Sequence, residues 1–425
     1  MKNSLSIIAI FTIIITVFPS APAGSDVVFS GGEDTLSLYK ELSSELLKNP
    51  SDANSYRIIL KLTGLSIDAG RDKTAQLFRK CAQQIKEING EMSPGYFVLI
   101  TFAEYLEYDY GNGDSNYKGI DKWIVSGPWQ KFGRPDLYYP FLPETGRVFS
   151  EFKSTRSEQG RRIYPFGLIP ERRGVVYAAA SFSVDIPVRI WVLSNSSFRL
   201  FVNGVEVMSS GIAGRESLSG VSVKGSRGYT LLLKIADNRS GDDPFFRIII
   251  TDNNNREINP DITWVNNRGD FTHEEIFSAS GVKLLPGFPG AEKMEKIRRS
   301  MDSRDLTELY NEAKIIYNEY PLCGESYHTF IPLLIQLRRV EEFMEAIARY
   351  REKFPASEYY LKWMSDFYRT GDEKKFSAAM EKINSRYCDY DNARAYIKLL
   401  ADKGEKRAAA RYSEKSPSSR RPARH

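Results

Sequence analysis

Residues 309–321 read LYNEAKIIYNEYP, and residues 343–355 read FMEAIARYREKFP. Set in register at a spacing of 34, Leu309, Ala313, Ile316 and Tyr320 fall on Phe343, Ile347, Tyr350 and Phe354. A third copy follows 33 residues later at Phe376, Met380, Ile383 and Tyr387. The intervening segments repeat too. Tyr327, Phe330, Ile331 and Leu334 recur at a spacing of 33 as Tyr360, Trp363, Met364 and Phe367, then as Ala393, Tyr396, Ile397 and Leu400. Within each copy most apolar residues stand three or four apart, which puts them on one face of a helix. A helix with one apolar face must bury it, so residues 291–401 are expected to stack as two-helix units.

A unit of about 34 residues, closed by Tyr320-Pro321 and again by Phe354-Pro355, resembles the tetratricopeptide repeat. The resemblance implies a helical solenoid that engages protein partners. It differs at Ile331, Met364 and Ile397, where that family prefers a small residue. If the unit continued past Gly404, apolar residues would stand near positions 409, 413, 416 and 420, but the chain supplies Ala409, Ser413, Ser416 and Arg420. Tyr396, Ile397 and Leu400 are therefore expected to be partly uncovered, as a partner-docking end or as the mark of a chain shortened relative to longer relatives. Residues 402–425 read as a basic, disordered tail.

That tail also accounts for the net charge of +5. It holds eight basic and three acidic side chains, which leaves 51 of each sign in the rest of the chain. A neutral body has no broad positive field for phosphates, so nucleic acid is excluded as a partner.

At the other end, Met1-Lys2-Asn3 precedes an apolar run from Leu5 to Phe18, and Ala21-Pro22-Ala23 offers a cleavage site before Gly24. This pattern predicts a signal peptide over residues 1–23, with export to the periplasm or outside the cell and no transmembrane segment afterwards. Helical spacing returns over residues 33–110, with stripes at Leu36, Tyr39, Leu42 and Leu46, at Tyr56, Ile59, Leu60 and Leu62, and at Leu77, Phe78, Cys81 and Ile85. Phe97, Ile100 and Tyr105 belong to a fourth stripe, so antiparallel helical hairpins are expected.

Between the two helical regions the period shifts toward two. Strands are expected at Val175 to Val184, Val188 to Leu193, Phe198 to Val202, Val205 to Met208, Val221 to Lys224, Tyr229 to Ile235 and Phe245 to Thr251. Asn203-Gly204 between apolar alternations is a hairpin signal, because both residues accept positive φ. Short strands without crossover helices predict an antiparallel sandwich over residues 119–270, joined by a linker at 271–290 to the repeats. The fold class is thus multidomain α and β: helical hairpin repeats flanking an antiparallel β-sandwich, with a C-terminal tetratricopeptide-like solenoid.

The opening segment Trp123-Ile124-Val125-Ser126-Gly127-Pro128-Trp129, the run Tyr138-Tyr139-Pro140-Phe141-Leu142-Pro143-Glu144, the hairpin and the later strands together resemble the galactose-binding-like jelly roll. The opening is also similar to exported bacterial proteins in which helical repeats and a sandwich precede a transglutaminase-like domain. These resemblances imply a jelly roll and a glycan as an alternative ligand. Trp129, Arg134, Tyr138 and Tyr139 are the candidate ligand residues: exposed rings stack on the apolar face of a sugar while polar neighbours bond its hydroxyls. The competing reading places Trp123 and Trp129 in the core.

Catalytic chemistry finds no footing. His273 reads as the start of a connecting helix, His328 lies in a repeat helix, His425 ends the tail, and none stands in a nucleophile motif. Neither Cys-x-x-Cys nor His-x-x-x-His occurs, and Cys81, Cys323 and Cys388 read as small buried residues, so no metal or cofactor is expected. Asp237, Asp242 and Asp243 read as a solvated loop, and Asp109, Asn112, Asp114 and Asn116 as a turn whose spacing fails a calcium loop. The expected function is a non-catalytic exported adaptor or scaffold that binds proteins at the cell envelope through its helical repeats. The alternatives are a carbohydrate-binding protein that uses the sandwich, or the non-catalytic part of a truncated transglutaminase-like enzyme.

Overall fold

The computed structural model describes residues 34–52, 54–107, 117–130, 136–145, 153–156, 163–168, 174–211, 216–225, 228–236, 244–260, 262, 270–277, 290–301, 304–383 and 390–415. Among them are twelve α-helices and ten strands in two antiparallel sheets, so the chain mixes α and β structure. The segment expected to be a signal peptide, residues 1–23, and the chain from Ser416 onward lie outside the described residues.

Four helices come first: α1 (Thr35–Lys48), α2 (Ser55–Ala69), α3 (Arg71–Asn89) and α4 (Pro94–Glu107). The Asp34 carboxylate starts α1 by accepting from the amides of Leu36 at 2.9 Å and Ser37 at 3.1 Å. Gly70, at φ 104°, turns α2 sharply into α3. The expected stripes point inward, with Tyr39, Leu42, Leu46, Phe78, Cys81 and Ile85 all buried. Helix α4 is buried nearly all round because it lies between the other helices and a sheet.

The strands are β1 (Lys122–Trp129), β2 (Lys153–Arg156), β3 (Val175–Ser183), β4 (Val188–Ser194), β5 (Phe198–Val202), β6 (Val205–Ser210), β7 (Ser217–Lys224), β8 (Gly228–Ala236), β9 (Phe246–Thr251) and β10 (Thr272–Phe277). One sheet runs β2-β1-β3-β8-β5-β6 and the other β10-β7-β4-β9. Their facing sides share one core: Val176, Ala178 and Phe182 of β3 and Leu231 and Leu233 of β8 meet Val188, Ile190 and Val192 of β4. The Asn203-Gly204 turn has φ of 49° and 85°, both positive, as the β5–β6 hairpin requires.

The other side of the four-stranded sheet is also buried, because α2 and α4 lie on it. Phe97 stacks on Trp191 with ring centres 4.3 Å apart, and the Tyr56 hydroxyl donates to the Leu218 carbonyl at 2.9 Å. Trp191 needs room beneath it: a Cβ at Gly220 would come within 2.5 Å of its ring. Strand β4 is therefore apolar on both faces, Val188, Ile190 and Val192 toward one core and Trp191 and Leu193 toward the other.

Strand β10 corrects two expectations. It pairs with β7, His273 opposite Val223, so His273 stands on an edge strand and not at the start of a helix. It also draws the first residues of the expected linker into the sheet.

The remaining helices are α5 (Ala291–Ser300), α6 (Leu306–Glu319), α7 (Gly324–Gln336), α8 (Val340–Lys353), α9 (Tyr360–Tyr368), α10 (Glu373–Lys382), α11 (Tyr390–Asp402) and α12 (Lys406–Lys415). They share one core from Met294 to Ala409. Leu309, Phe343 and Phe376, which stand in register in the sequence, are all buried, as are Phe330, Trp363 and Tyr396. Between α6 and α8, Glu342 takes hydrogen bonds from Tyr310, from Lys314 at 2.9 Å and from Arg339 at 2.8 Å. These donors, Tyr310 foremost, hold its carboxyl down at about 2.

Helices α1 and α2 dock directly on α7 and α8. The Asp68 carboxylate, at the end of α2, accepts from the Tyr350 hydroxyl at 2.6 Å and pairs with His328 Nε2 at 2.9 Å. Ser357 donates to the Ile67 carbonyl at 2.6 Å, and the amide of Gly324 donates to the Thr35 hydroxyl at 2.9 Å. Among the described residues no helix is long and apolar enough to cross a membrane.

Two outcomes follow from these contacts. A methyl group at Gly324 would lie 1.9 Å from an Asp68 oxygen, whereas Gly371 has nothing within 4 Å. In urea denaturation Gly324→Ala should lose about 1–3 kcal/mol, while Gly371→Ala should stay within about 0.5 kcal/mol. A carboxyl held below its ordinary value stabilises the fold above that value and loses the contribution as pH falls. The stability gap between wild type and Glu342→Gln should therefore close as pH falls from 4.5 toward 2, and an undiminished gap in acid contradicts the assignment.

Candidate functional site

The outer side of the six-stranded sheet gathers the three aromatic residues that the sequence marks as ligand candidates, Trp129, Tyr138 and Tyr139. Three side chains stand in a row across adjacent strands, because Tyr177 of β3 and Arg199 of β5 are both cross-strand partners of Lys234 on β8. Residues 136–145 cross over this row as a strap. Phe141 is the buried anchor of the strap, 6.1 Å from the Trp129 ring and 4.9 Å from the Tyr139 ring.

The charges under the strap are committed to one another. Lys234 donates to Glu144 Oε1 at 2.7 Å and to the Tyr139 carbonyl at 2.5 Å, and its side chain is wholly buried. Burial pushes the Lys234 ammonium below its ordinary value, against the pull of Glu144. Tyr177 donates to the same carboxylate, and burial together with that bond raises its phenol well above the usual range. Arg199 pairs with Glu206, lies 3.8 Å from Glu144 and donates to the Leu137 carbonyl at 3.3 Å. Its hydrogen bond to Glu206 raises the guanidinium further. Neither Lys234 nor Tyr177 is placed to exchange a proton with a ligand, so the arrangement serves to hold the strap.

What the strap presents to solvent is aromatic. Tyr138 is 72% exposed and Tyr139 39%. Arg199 lies over the Tyr138 ring at 5.7 Å and over the Phe201 ring at 5.1 Å. Trp129 is half-buried, its indole N–H directed at the Ser126 hydroxyl at 3.3 Å, while Trp123 is in the sandwich core. The structure thus brings Trp129, Tyr138 and Tyr139 to one face, and Arg134 lies outside the described residues. Sequence reading passed over Glu144, Tyr177, Lys234 and Arg199. A signal was present, since Lys234 is the one charge in Leu231 to Ile235 and Arg199 the one charge in Phe198 to Val202.

The second candidate group is covered. Tyr396 and Leu400 are buried and Ile397 half-buried, because α12 forms and sets Ala409 and Tyr412 against α11. The Tyr396 and Tyr412 rings meet at 4.9 Å, edge to face. The expectation of an uncovered end, and of a tail starting at residue 402, is corrected accordingly. Cys81 and Cys323 are buried thiols pushed up to about 12 by burial. Cys388, His425, the Asp237 to Asp243 loop and the Asp109 to Asn116 turn lie outside the described residues. Among the described residues no three His, Cys, Asp or Glu side chains converge to hold a metal ion.

No protein-family model matches this chain, and no curated protein matches it. Among solved structures, an anti-sigma factor domain-containing protein is 9% identical with a TM-score of 0.22, over 33% of this chain and 45% of that one. A beta-glucosidase from Kluyveromyces marxianus in complex with glucose is 11% identical with a TM-score of 0.20, over 34% of this chain and 18% of the enzyme. The chain therefore spans less than half the length of either, and the similarity is too slight to support a fold or a function.

Removing Glu144 would leave the Lys234 ammonium buried without its carboxylate. Glu144→Ala should cost about 3–5 kcal/mol in equilibrium unfolding, and Glu144→Ala combined with Lys234→Met should recover most of the loss. Equal losses in the single and double variants would show that the pair does not act as a unit.

Proposed function

We propose that this chain is a non-catalytic exported adaptor or scaffold that binds a protein partner at the cell envelope through its C-terminal helices. In this reading α5–α12 are a tetratricopeptide-like solenoid, the two sheets are a jelly roll, residues 1–23 are a signal peptide, and the protein works in the periplasm or outside the cell. The observation that supports it best is the pair of exposed apolar side chains one turn apart on α8, Val340 at 54% and Met344 at 42%, with Ile315 of α6 also exposed at 59%. In this reading Val340 and Met344, i and i+4 on one helix face and outside the core, form the apolar part of the contact with the partner. The docking of α1 and α2 on α7 and α8 would hold that surface at a fixed attitude to the sandwich.

A second reading, carbohydrate binding by the sandwich, is favoured by the convergence of Trp129, Tyr138 and Tyr139 on one face.

The adaptor reading is tested in cells with the full chain carrying a photo-crosslinking residue at Val340 or Met344. It expects one discrete crosslinked envelope protein from these positions and none from Ile186, which is exposed in the turn between β3 and β4. Identical products from all three positions, or none from α8, would contradict it.

A further inference from the structure

We propose that the end of the sandwich where β3 turns into β4 rests on the headgroup layer of a lipid bilayer and inserts aliphatic side chains from three separate turns. This goes beyond the adaptor reading and leaves the protein contact on α8 as it stands. The strand registers define the end. Ser183 closes β3 opposite Gly228, Val202 closes β5 opposite Leu231, and Val188 opens β4 opposite Val223, so the β3–β4 and β5–β6 turns lie together. Helix α4 runs beside β4 from this end to the other. Near its start, Arg189 donates to the Met92 carbonyl at 3.2 Å, and the Asn255 side-chain amide donates to the carbonyls of Glu91 at 2.7 Å and Ser93 at 3.2 Å. Near its finish, Tyr105 stacks on Phe245, next to β9, and donates to Glu216, next to β7. The α3–α4 turn is thereby fixed to the same end as the β3–β4 turn.

All three turns carry exposed aliphatic side chains. Ile88, 75% exposed, and Met92 flank the α3–α4 turn, Ile186 lies between β3 and β4, and Val205 follows Asn203-Gly204. Their distribution favours a bilayer over a protein partner, because tips on separate turns do not form one groove or ridge, whereas the interfacial layer of a bilayer takes each tip separately. The hydrogen bonds from Arg189 and Asn255 hold Met92 outward in advance, so little ordering is lost on insertion. Charges of both signs stand around the tips: Lys122, Lys224 and Arg256 are exposed, as are Glu87, Asp185 and Asp270, and Lys86 pairs with Glu91. A rim of mixed sign complements a zwitterionic headgroup, which offers a phosphate and an ammonium side by side, and it gives a purely anionic surface no advantage.

Co-sedimentation tests this with the mature chain from Gly24, which omits the apolar run at residues 5–18, and phosphatidylcholine–phosphatidylethanolamine vesicles with and without phosphatidylglycerol. Binding to the zwitterionic vesicles is expected, and neither added salt nor phosphatidylglycerol should change it more than about twofold. Met92→Ser and Ile186→Ser should each weaken it about threefold to tenfold, the range for one aliphatic side chain partly withdrawn from water. Combining them with Ile88→Ser should weaken it about thirtyfold or more, and Met344→Ser on α8 should leave it unchanged. All four positions are exposed, so the variants should keep the wild-type circular dichroism spectrum. Binding that requires phosphatidylglycerol and disappears in salt would overturn insertion by the apolar tips. Binding retained in full by the triple variant would overturn the assignment to this end. Absence of vesicle binding, including the case in which a photo-crosslinking residue at Ile186 captures a protein, would overturn the proposal.

Discussion

The buried carboxylate of Asp68 is the interaction on which the assembly of this chain depends. A carboxylate removed from water must be met by donors, and here Tyr350 and His328 meet it at 2.6 and 2.9 Å. Those partners belong to α8 and α7, whereas Asp68 belongs to α2, whose Tyr56 is bonded into the four-stranded sheet. One helix therefore has a stake in two cores. Gly324 completes the seat, since any side chain there would displace the carboxylate. Relative to this junction the molecule is ordered in layers: the α7–α8 pair, the α1–α4 helices, the four-stranded sheet, the six-stranded sheet and the strap.

The layering explains which parts of the fold were legible in the sequence. Local patterns were. The helical stripes, the Asn203-Gly204 hairpin and the repeating positions of the C-terminal helices all depend on neighbours a few residues away. Strand β10 was hidden because Thr272 to Glu275 are exposed, and charged side chains suit an edge strand as well as a helix start. Helix α12 was hidden because small Ala409, with Tyr412, supplies the cover that a search for large apolar residues misses.

The long-range pairs were illegible for a different reason. Nothing near Asp68 announces Tyr350, 282 residues away, and nothing near Glu144 announces Lys234, 90 residues away. Yet each charge left a trace, as a lone ionisable residue in an apolar run. Of the candidate face, the aromatic part was readable from composition: Trp129, Tyr138 and Tyr139 do converge. The charge network that holds them could be found only once Tyr177, Lys234 and Arg199 stood in one cross-strand row. That network pairs Lys234 and Arg199 with Glu144 and Glu206 beneath the strap, while Ile315 and Val340 are exposed on the helical array.

The claim that α2 joins the two cores into one cooperative unit is tested most directly by scanning calorimetry of the full chain and of Asp68→Ala. The account predicts a single transition in the wild type, with calorimetric and van't Hoff enthalpies in agreement, which Asp68→Ala resolves into two separate transitions. Two independent transitions already present in the wild type, or a single transition that survives loss of Asp68 unchanged, would contradict it.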